Sequence, residues 1–509
     1  MEKFLEAHSE KITGTISCFD RILFKGYLPL GWPGEMEKFM RAQGLLNKDF
    51  KRFVQEHSDK LKQHAKAVAE KAGRPYVHLS SPVRKEAMAR EIAERDGVKK
   101  GLVCILAAVE ACRSFKLIYG DGHPDIVGAR RKCLCLYFYL IDREFGFMHV
   151  RIPTWFPFDV QVCMNGHDWL AIKMDRHGIA YSRIDNAFLR VEDARRAQRF
   201  ADGFIRKNWH RILSAFARRV NPLLGSILRH MDYYWIVEQA EYSTDVMFNG
   251  RAALEGLYEK LLEHAVLCFG AEDVMTFLGK KLHGNFKGEI LNDYKVRVRG
   301  ARVKHRMKEN WIKMYDKHGS VLRIETVINH PREFKVRRRG RRNGKLVTEW
   351  FPMAKGVANL YRYADVCAAA NLRYLDALSV VRDPQESYRA VCKVAEPARR
   401  NGRSCRGFNP ASGKDVRLFS ALMRGEHAIR GFRNRDIRER IFAPAEDREE
   451  SLRQSARASR LLKRLHIHGL IAKVPRSRRW RITDRGSAVM SMVIKLHRKL
   501  YPEALEEAA

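Results

Sequence analysis

Residues 13–27 (TGTISCFDRILFKGY) are β-branched and aromatic, and that run predicts a pair of strands. Over residues 34–73 the chain turns to Lys, Glu, Gln and Ala, with Leu45, Phe50, Phe53 and Leu61 at helical spacing, and residues 85–95 (KEAMAREIAER) repeat that signal. After Gly101 come three β-type runs, GLVCILAAVEACRSFKLIY, RKCLCLYFYLID and GFMHVRI, each bounded by Gly, Asp or Pro. Residues 1–202 are therefore expected to form an α+β domain on an antiparallel sheet. Helical spacing returns over 203–291, through Phe204, Trp209, Leu213 and Phe216 and later Leu257, Leu261 and Leu262. Residues 292–382 read as a β-meander of five or six short strands followed by a helix, and 383–413, with Pro384, Pro397, Gly402, Gly407 and Pro410, as a linker.

Residues 414–509 carry the clearest local pattern. Helical runs at 415–424, 434–441 and 448–468 precede an apolar strand at 470–474, a basic turn at 475–479 and a second strand at 480–483. Three helices followed by a hairpin is the winged-helix plan, and the segment HGLIAKVPRSRRWRITDRG resembles the wing of MarR-like regulators. In the third helix Arg453, Arg457, Arg460 and Arg464 share one stripe, while Ala458, Leu461, Leu462 and Leu465 form an apolar face. Four like charges on one stripe repel each other unless an anion neutralises them, which a phosphate backbone does. Arg476, Arg478 and Arg479 at the hairpin tip would reach the adjacent groove or its phosphates. The competing reading is a solvated basic face on a helix that packs within the protein. The fold expected is α+β and multidomain, with an antiparallel-sheet N-terminal domain, a helical middle, a β-meander and a C-terminal winged helix.

Charge points to the same partner. Lys and Arg number 96 against 59 Asp and Glu, a formal net charge of +37. With 45% hydrophobic residues the chain is not disordered, and no apolar stretch approaches the ~20 residues that span a bilayer. The charged start, MEKFLEAHSEK, is unlike a secretion signal, so a cytoplasmic, nucleoid-associated protein is expected, with no membrane partner. The sequence leaves the oligomeric state open.

Catalysis has one main candidate. In NWIKMYDKHGSVLRIETVIN two alternating runs flank a tight turn at 317–319, which places Lys313, Tyr315, Arg323 and Glu325 on one face and Ile312, Met314, Leu322 and Ile324 on the other. A tyrosine flanked by cations, with Glu325 holding Mg²⁺ or Mn²⁺, could attack a phosphodiester. The residues KMYDK and LRIET resemble a strand pair of rolling-circle replication initiators, and that likeness carries the DNA-cleaving role to Tyr315 and Glu325. Such nucleases pair the tyrosine with a His-hydrophobe-His strand, whereas the one such triplet here, His466, Ile467 and His468, ends a predicted helix. The plain alternative is cross-strand ion pairing. Around the hairpin lie Lys295, Arg297, Arg299, Arg302, Lys304, His305 and Arg306, then RRRGRR at 337–342, interleaved with Tyr294, Trp311 and Trp350, which suits an unpaired strand or a phosphate backbone.

Other residues are weaker candidates. If residues 233–248 are helical, Glu238, Glu241 and Asp245 form a stripe that, with Asp20 or Asp142, would make a nuclease-type acidic cluster. Structural ion pairing is the rival reading. The aromatic stretch 146–171, with His149, Arg151, Asp159, Asn165 and His167, reads mainly as a packed sheet. Ten cysteines, none in CxxC spacing, read as buried hydrophobes, although Cys133 and Cys135 share a strand face. Walker A, GxGxxG, HExxH and GxSxG patterns are absent, which disfavours nucleotide hydrolysis and peptidase chemistry.

Across nearly its full length, in ISCFDRILFKGYL, FGFMHVRIPTWFPF, VKHRMKENWIKMYDKHGSVLRIETVIN and GFRNRDIR, the chain resembles a large family of uncharacterised bacterial proteins. That likeness implies an architecture and a mobile-element or genome-maintenance setting, without an activity. The expectation is a DNA-binding protein; the alternatives are a Tyr315-dependent DNA-nicking enzyme and an RNA-binding ribonucleoprotein component.

Overall fold

The computed structural model describes residues 2–119, 124–281, 286, 288–297, 300–379, 381, 387–400 and 403–497. The fold is mixed α/β with a large mixed sheet, 44% helix and 33% strand. In chain order the strands are β1 (Ile12–Tyr27), β2 (Tyr76–Leu79), β3 (Gly101–Tyr119), β4 (Pro124–Asp142), β5 (Gly146–Pro153), β6 (Val160–Met164), β7 (Tyr181–Ile184), β8 (Ala187–Val191), β9 (Tyr234–Phe248) and β10 (Ile290–Arg297). They continue with β11 (Gly300–Met307), β12 (Asn310–Lys317), β13 (Val321–Ile328), β14 (Lys335–Arg342), β15 (Lys345–Pro352), β16 (Ala398–Arg400), β17 (Arg403–Cys405), β18 (Ile471–Lys473) and β19 (Trp480–Ile482). Two compact units divide the chain, the first comprising Met1–Thr15, Thr244–Thr326 and Cys367–Ala509, the second Ile16–Ser243 and Val327–Val366.

In the second unit the strands lie in the order β1-β6-β5-β4-β3-β2. Every pair is antiparallel except β2 with β3, so the sheet is mixed where an antiparallel one was expected. Residues 13–27, read as two strands, form most of the single strand β1; no turn residue pair interrupts them. The helix Phe50–Lys71 buries Phe50, Phe53, Val54, Leu61, Ala65 and Ala69, the apolar stripe its spacing predicts. Asn165 caps the helix Gly166–Arg176, its side chain accepting from the backbone N–H of His167 and Asp168. Gly166 is required there, since a Cβ would meet the Phe19 carbonyl oxygen at 2.3 Å.

In the first unit β10, β11 and β12 form an antiparallel meander continued by β13 and the end of β9. The expected meander of five or six strands stops at four, because β14 and β15 pair with each other as a separate hairpin in the second unit. The region read as helical, 203–291, holds the long strand β9, and the linker holds a helix, Ser387–Ala395, and the β16–β17 hairpin. β9 lacks the alternation that marks a half-buried strand: all but a few of its residues are buried on both faces.

The C-terminal segment holds the three expected helices and the hairpin, with a further short helix, Gly425–Arg430, between the first two. Helices span Gly413–Leu422, Asn434–Ile441 and Arg448–Ile467, followed by the β18–β19 hairpin and the helix Asp484–Lys495. Val416, Phe419, Leu422, Ile437, Leu462, Leu465, Ile471, Val489 and Val493 share one core. Asp447 caps the third helix by accepting from the Glu450 N–H at 2.6 Å, and Thr483 caps the last. Phe432 and Trp480 form a β-bridge, with N–H···O bonds of 2.9 and 2.7 Å, tying the hairpin to the chain ahead of the second helix. Gly431 makes that approach possible, since a Cβ there would sit 2.5 Å from the Trp480 carbonyl oxygen at a φ of 64°. Among the described residues no helix is long and apolar enough to cross a membrane.

Candidate functional site

The basic stripe of the helix Arg448–Ile467 divides in two. Arg453, Arg457 and Arg460 are exposed, with Arg453 paired to Glu449 at 2.5 Å and the Arg457 guanidinium 5.5 Å from the Phe442 ring centroid. Arg464, expected in the same stripe, is 7% exposed and turned inward. It donates to the carbonyls of Arg406 and Gly407, sits 3.5 Å from Asp415 Oδ1, and burial lowers its pKa. At the hairpin tip Arg476 and Arg478 are exposed, whereas Arg479 is half-buried and donates to the Gly431 carbonyl at 3.2 Å. Exposed Arg433 and Arg435 flank the start of the second helix, and exposed Arg481 lies on β19; these extend the cationic surface beyond the residues singled out from sequence. His466 and His468 diverge, one ring bonded to the Ile471 carbonyl and the other to the Arg406 carbonyl, each at 3.0 Å, so they share no ligand.

The meander face collects its polar residues as the alternation predicts. Arg302 is opposite Tyr315, Lys304 opposite Lys313 and Arg306 opposite Trp311. Lys304 lies 4.0 Å from the Trp311 ring centroid, and burial, then Lys313, Arg302 and Arg306, lower its pKa. Arg306 is exposed. Lys313 Nζ donates to Glu325 Oε1 at 2.5 Å and the Tyr315 hydroxyl donates to Glu325 Oε2. Glu325 is 1% exposed and Arg323 is fully buried, its Nε and Nη2 donating to the two oxygens of Asp245 at 2.6 and 2.7 Å. Each Glu325 oxygen thus carries one partner, a cation on one and a phenol on the other. Arg299, grouped with this cluster from sequence, lies outside the described residues.

His305, grouped from sequence with the basic residues, is buried on the opposite face. Asn292 donates its Nδ2 to the Phe269 carbonyl at 3.1 Å, which turns its Oδ1 toward His305 Nδ1, 2.8 Å away. That nitrogen therefore carries the proton, and Nε2 accepts from the Tyr374 hydroxyl at 2.8 Å. Burial holds the ring neutral, with its pKa pushed down to about 3.

The second unit holds an unexpected polar pocket of about 150 Å³, lined by Asp20, Arg21, Glu86, Arg90, His149, Cys163, Asn165, Asn186 and Glu241. Asp20 accepts from Asn186 at 2.6 Å and lies 3.2 Å from His167 Nδ1; one of its oxygens is within 4.8 Å of a Glu241 oxygen. Burial, then Arg21 and Arg151, lower the His149 pKa to about 3. The acidic stripe read as helical is thus distributed along a strand. Glu241 joins Asp20, Asp245 pairs with Arg323, Glu238 lies 3.9 Å from Lys355, and Asp142 accepts from the backbone of the Glu144 turn. The same unit presents RRRGRR on β14, where exposed Arg337, Arg339 and Arg341 stand opposite exposed Trp350, Thr348 and exposed Leu346.

What these sites bind is not set by kinship: comparison with protein-family models, curated proteins and solved structures returned no match.

Proposed function

We propose that this chain binds DNA, docking duplex through a C-terminal winged helix in which the helix Arg448–Ile467 enters the major groove and the β18–β19 hairpin is the wing. The observation that carries this reading is the presence of three exposed arginines on one helix stripe together with two at the tip of the following hairpin, which the Phe432–Trp480 bridge ties to the chain ahead of the second helix. Cations on a helix and on the hairpin that follows it suit contacts to a phosphate backbone from both elements. In the first unit the crowded cations of β11 and β12, and separately in the second unit the Arg337–Arg341 row with Trp350, support further nucleic-acid contacts through phosphates and base stacking. A mobile-element or genome-maintenance role is compatible with such a binder.

The test is the salt dependence of duplex binding. Replacing Arg453, Arg457 and Arg460 by Ala should lower the slope of log K against log salt by about 0.9 for each phosphate that is no longer neutralised. An unchanged slope would remove that helix from the interface. Strand cleavage at Tyr315 has less support, since the Tyr315 hydroxyl is given to the buried Glu325 carboxylate. No observation favours RNA over DNA; competition between duplex DNA and RNA of equal length decides between them.

A further inference from the structure

Three cysteines of the second unit come together in a way their sequence spacing does not announce. Cys133 and Cys135 stand two apart on β4, hence on one face, and Cys112 reaches them from β3. One sulfur from each lies within 4.8 Å of the others, and Cys112 Sγ is 3.2 Å from Cys135 Sγ. Cys112 and Cys135 are buried and Cys133 is half-buried. Arg151, on β5, donates its Nη2 to Cys112 Sγ at 3.2 Å and to Cys135 Sγ at 3.1 Å. Its Nε is held by Glu110 and by the Tyr137 hydroxyl, both at 3.1 Å, and Glu110 is itself paired with Lys85 at 2.9 Å. The guanidinium is therefore aimed at the sulfurs by partners that are fixed in turn. A cation so placed favours thiolate, the form that binds metals.

We propose that Cys112, Cys133 and Cys135 bind one Zn²⁺ through three thiolates. Zinc takes four ligands tetrahedrally with sulfur at about 2.3 Å, which sets sulfur–sulfur separations near 3.8 Å. The present cluster needs only small side-chain rotations to reach that. Three thiolates and a divalent cation carry one net negative charge, and Arg151 cancels it while its N–H groups hydrogen-bond the ligand sulfurs from outside the coordination shell. Binding releases the remaining thiol protons to solvent. The fourth position falls to water, because Glu110 is already engaged by Lys85, Tyr137 and Arg151.

The test is a Co²⁺ titration of the reduced, metal-free full chain. One equivalent should give sulfur-to-cobalt charge-transfer bands with the visible bands of a tetrahedral ion, and one equivalent of Zn²⁺ should bleach them. Cys112→Ala and Cys135→Ala should lose the bands, while Cys392→Ser, at an exposed cysteine in the other unit, should keep them. Because a buried replacement can unfold the sheet, a second measurement uses the unmodified chain: alkylation of half-buried Cys133, mapped by mass spectrometry, should be suppressed by equimolar Zn²⁺. Absence of charge-transfer bands in the wild-type chain, their survival in a folded Cys112→Ala chain, or Cys133 alkylation indifferent to Zn²⁺ would each overturn the site.

Discussion

Arg464 lies over the ring of Phe408, its guanidinium carbon 3.8 Å from the ring centroid, and its nitrogens are taken up by the carbonyls of Arg406 and Gly407. It is the one member of the arginine stripe that acts inward. Arg464→Ala should therefore destabilise the C-terminal core by on the order of 3 kcal/mol, as the cation–π interaction and the charged hydrogen bonds disappear. For the folded fraction, the salt slope of DNA binding should stay at the wild-type value. Thermal unfolding and a filter-binding salt series separate the two effects; a reduced slope in this variant would place Arg464 on the DNA.

The Arg323–Asp245 pair makes a different prediction because both side chains are almost wholly buried. Arg323→Met or Asp245→Asn alone leaves a charge without its partner and should cost roughly 3–5 kcal/mol. The double variant Arg323→Met/Asp245→Leu should recover much of that loss, since an apolar pair of similar volume is often neutral or better. Urea unfolding of the three variants gives the cycle; additive losses would show that the two charges act independently.

His305 and His264 link the first unit to pH. Burial pushes their pKa values down to about 3 and about 4, from an ordinary value of 6.5. The unfolded chain therefore binds more protons than the folded one between these limits, and stability falls as pH drops below about 6.5 until the folded rings themselves protonate. His305→Gln should be less stable than wild type at pH 7 and should lose less on acidification to pH 4. Parallel pH dependences would show that the Asn292–His305–Tyr374 chain does not carry the effect.

Tyr315→Phe removes a hydrogen bond to a buried carboxylate and leaves Lys313 as the partner of Glu325. The expected loss is roughly 1.5–3 kcal/mol of stability, measured by denaturant unfolding. Wild-type protein incubated with supercoiled plasmid and Mg²⁺ or Mn²⁺ should form no covalent adduct. Nicked DNA that enters a gel only after proteolysis, and is lost in Tyr315→Phe, would reinstate this residue as a nucleophile.

Legibility in the sequence follows the range of the interactions. The helix Asn434–Ile441 and its longer neighbour are readable because apolar spacing, stripe and hairpin are set within one short stretch. Arg464 is not, since the carbonyls that capture it lie almost sixty residues earlier in a segment that reads as linker. Strand β9 reads as a helix because burial on both faces erases the period of two, leaving three carboxylates that happen to fit a helical stripe. The polar face of Lys313, Tyr315 and Glu325 is legible from alternation, while its burial depends on packing that alternation does not encode. Cys112 joins Cys133 and Cys135 only through strand pairing, and spacing along the chain carries no trace of that.

Gly431 separates shape from charge in the C-terminal segment. A methyl group at that position must push against the Trp480 carbonyl, so Gly431→Ala would unseat the hairpin while leaving every arginine in the chain. The arrangement of the cations would then change at constant composition, and any part of recognition that depends on their geometry, as opposed to their number, would become measurable on its own.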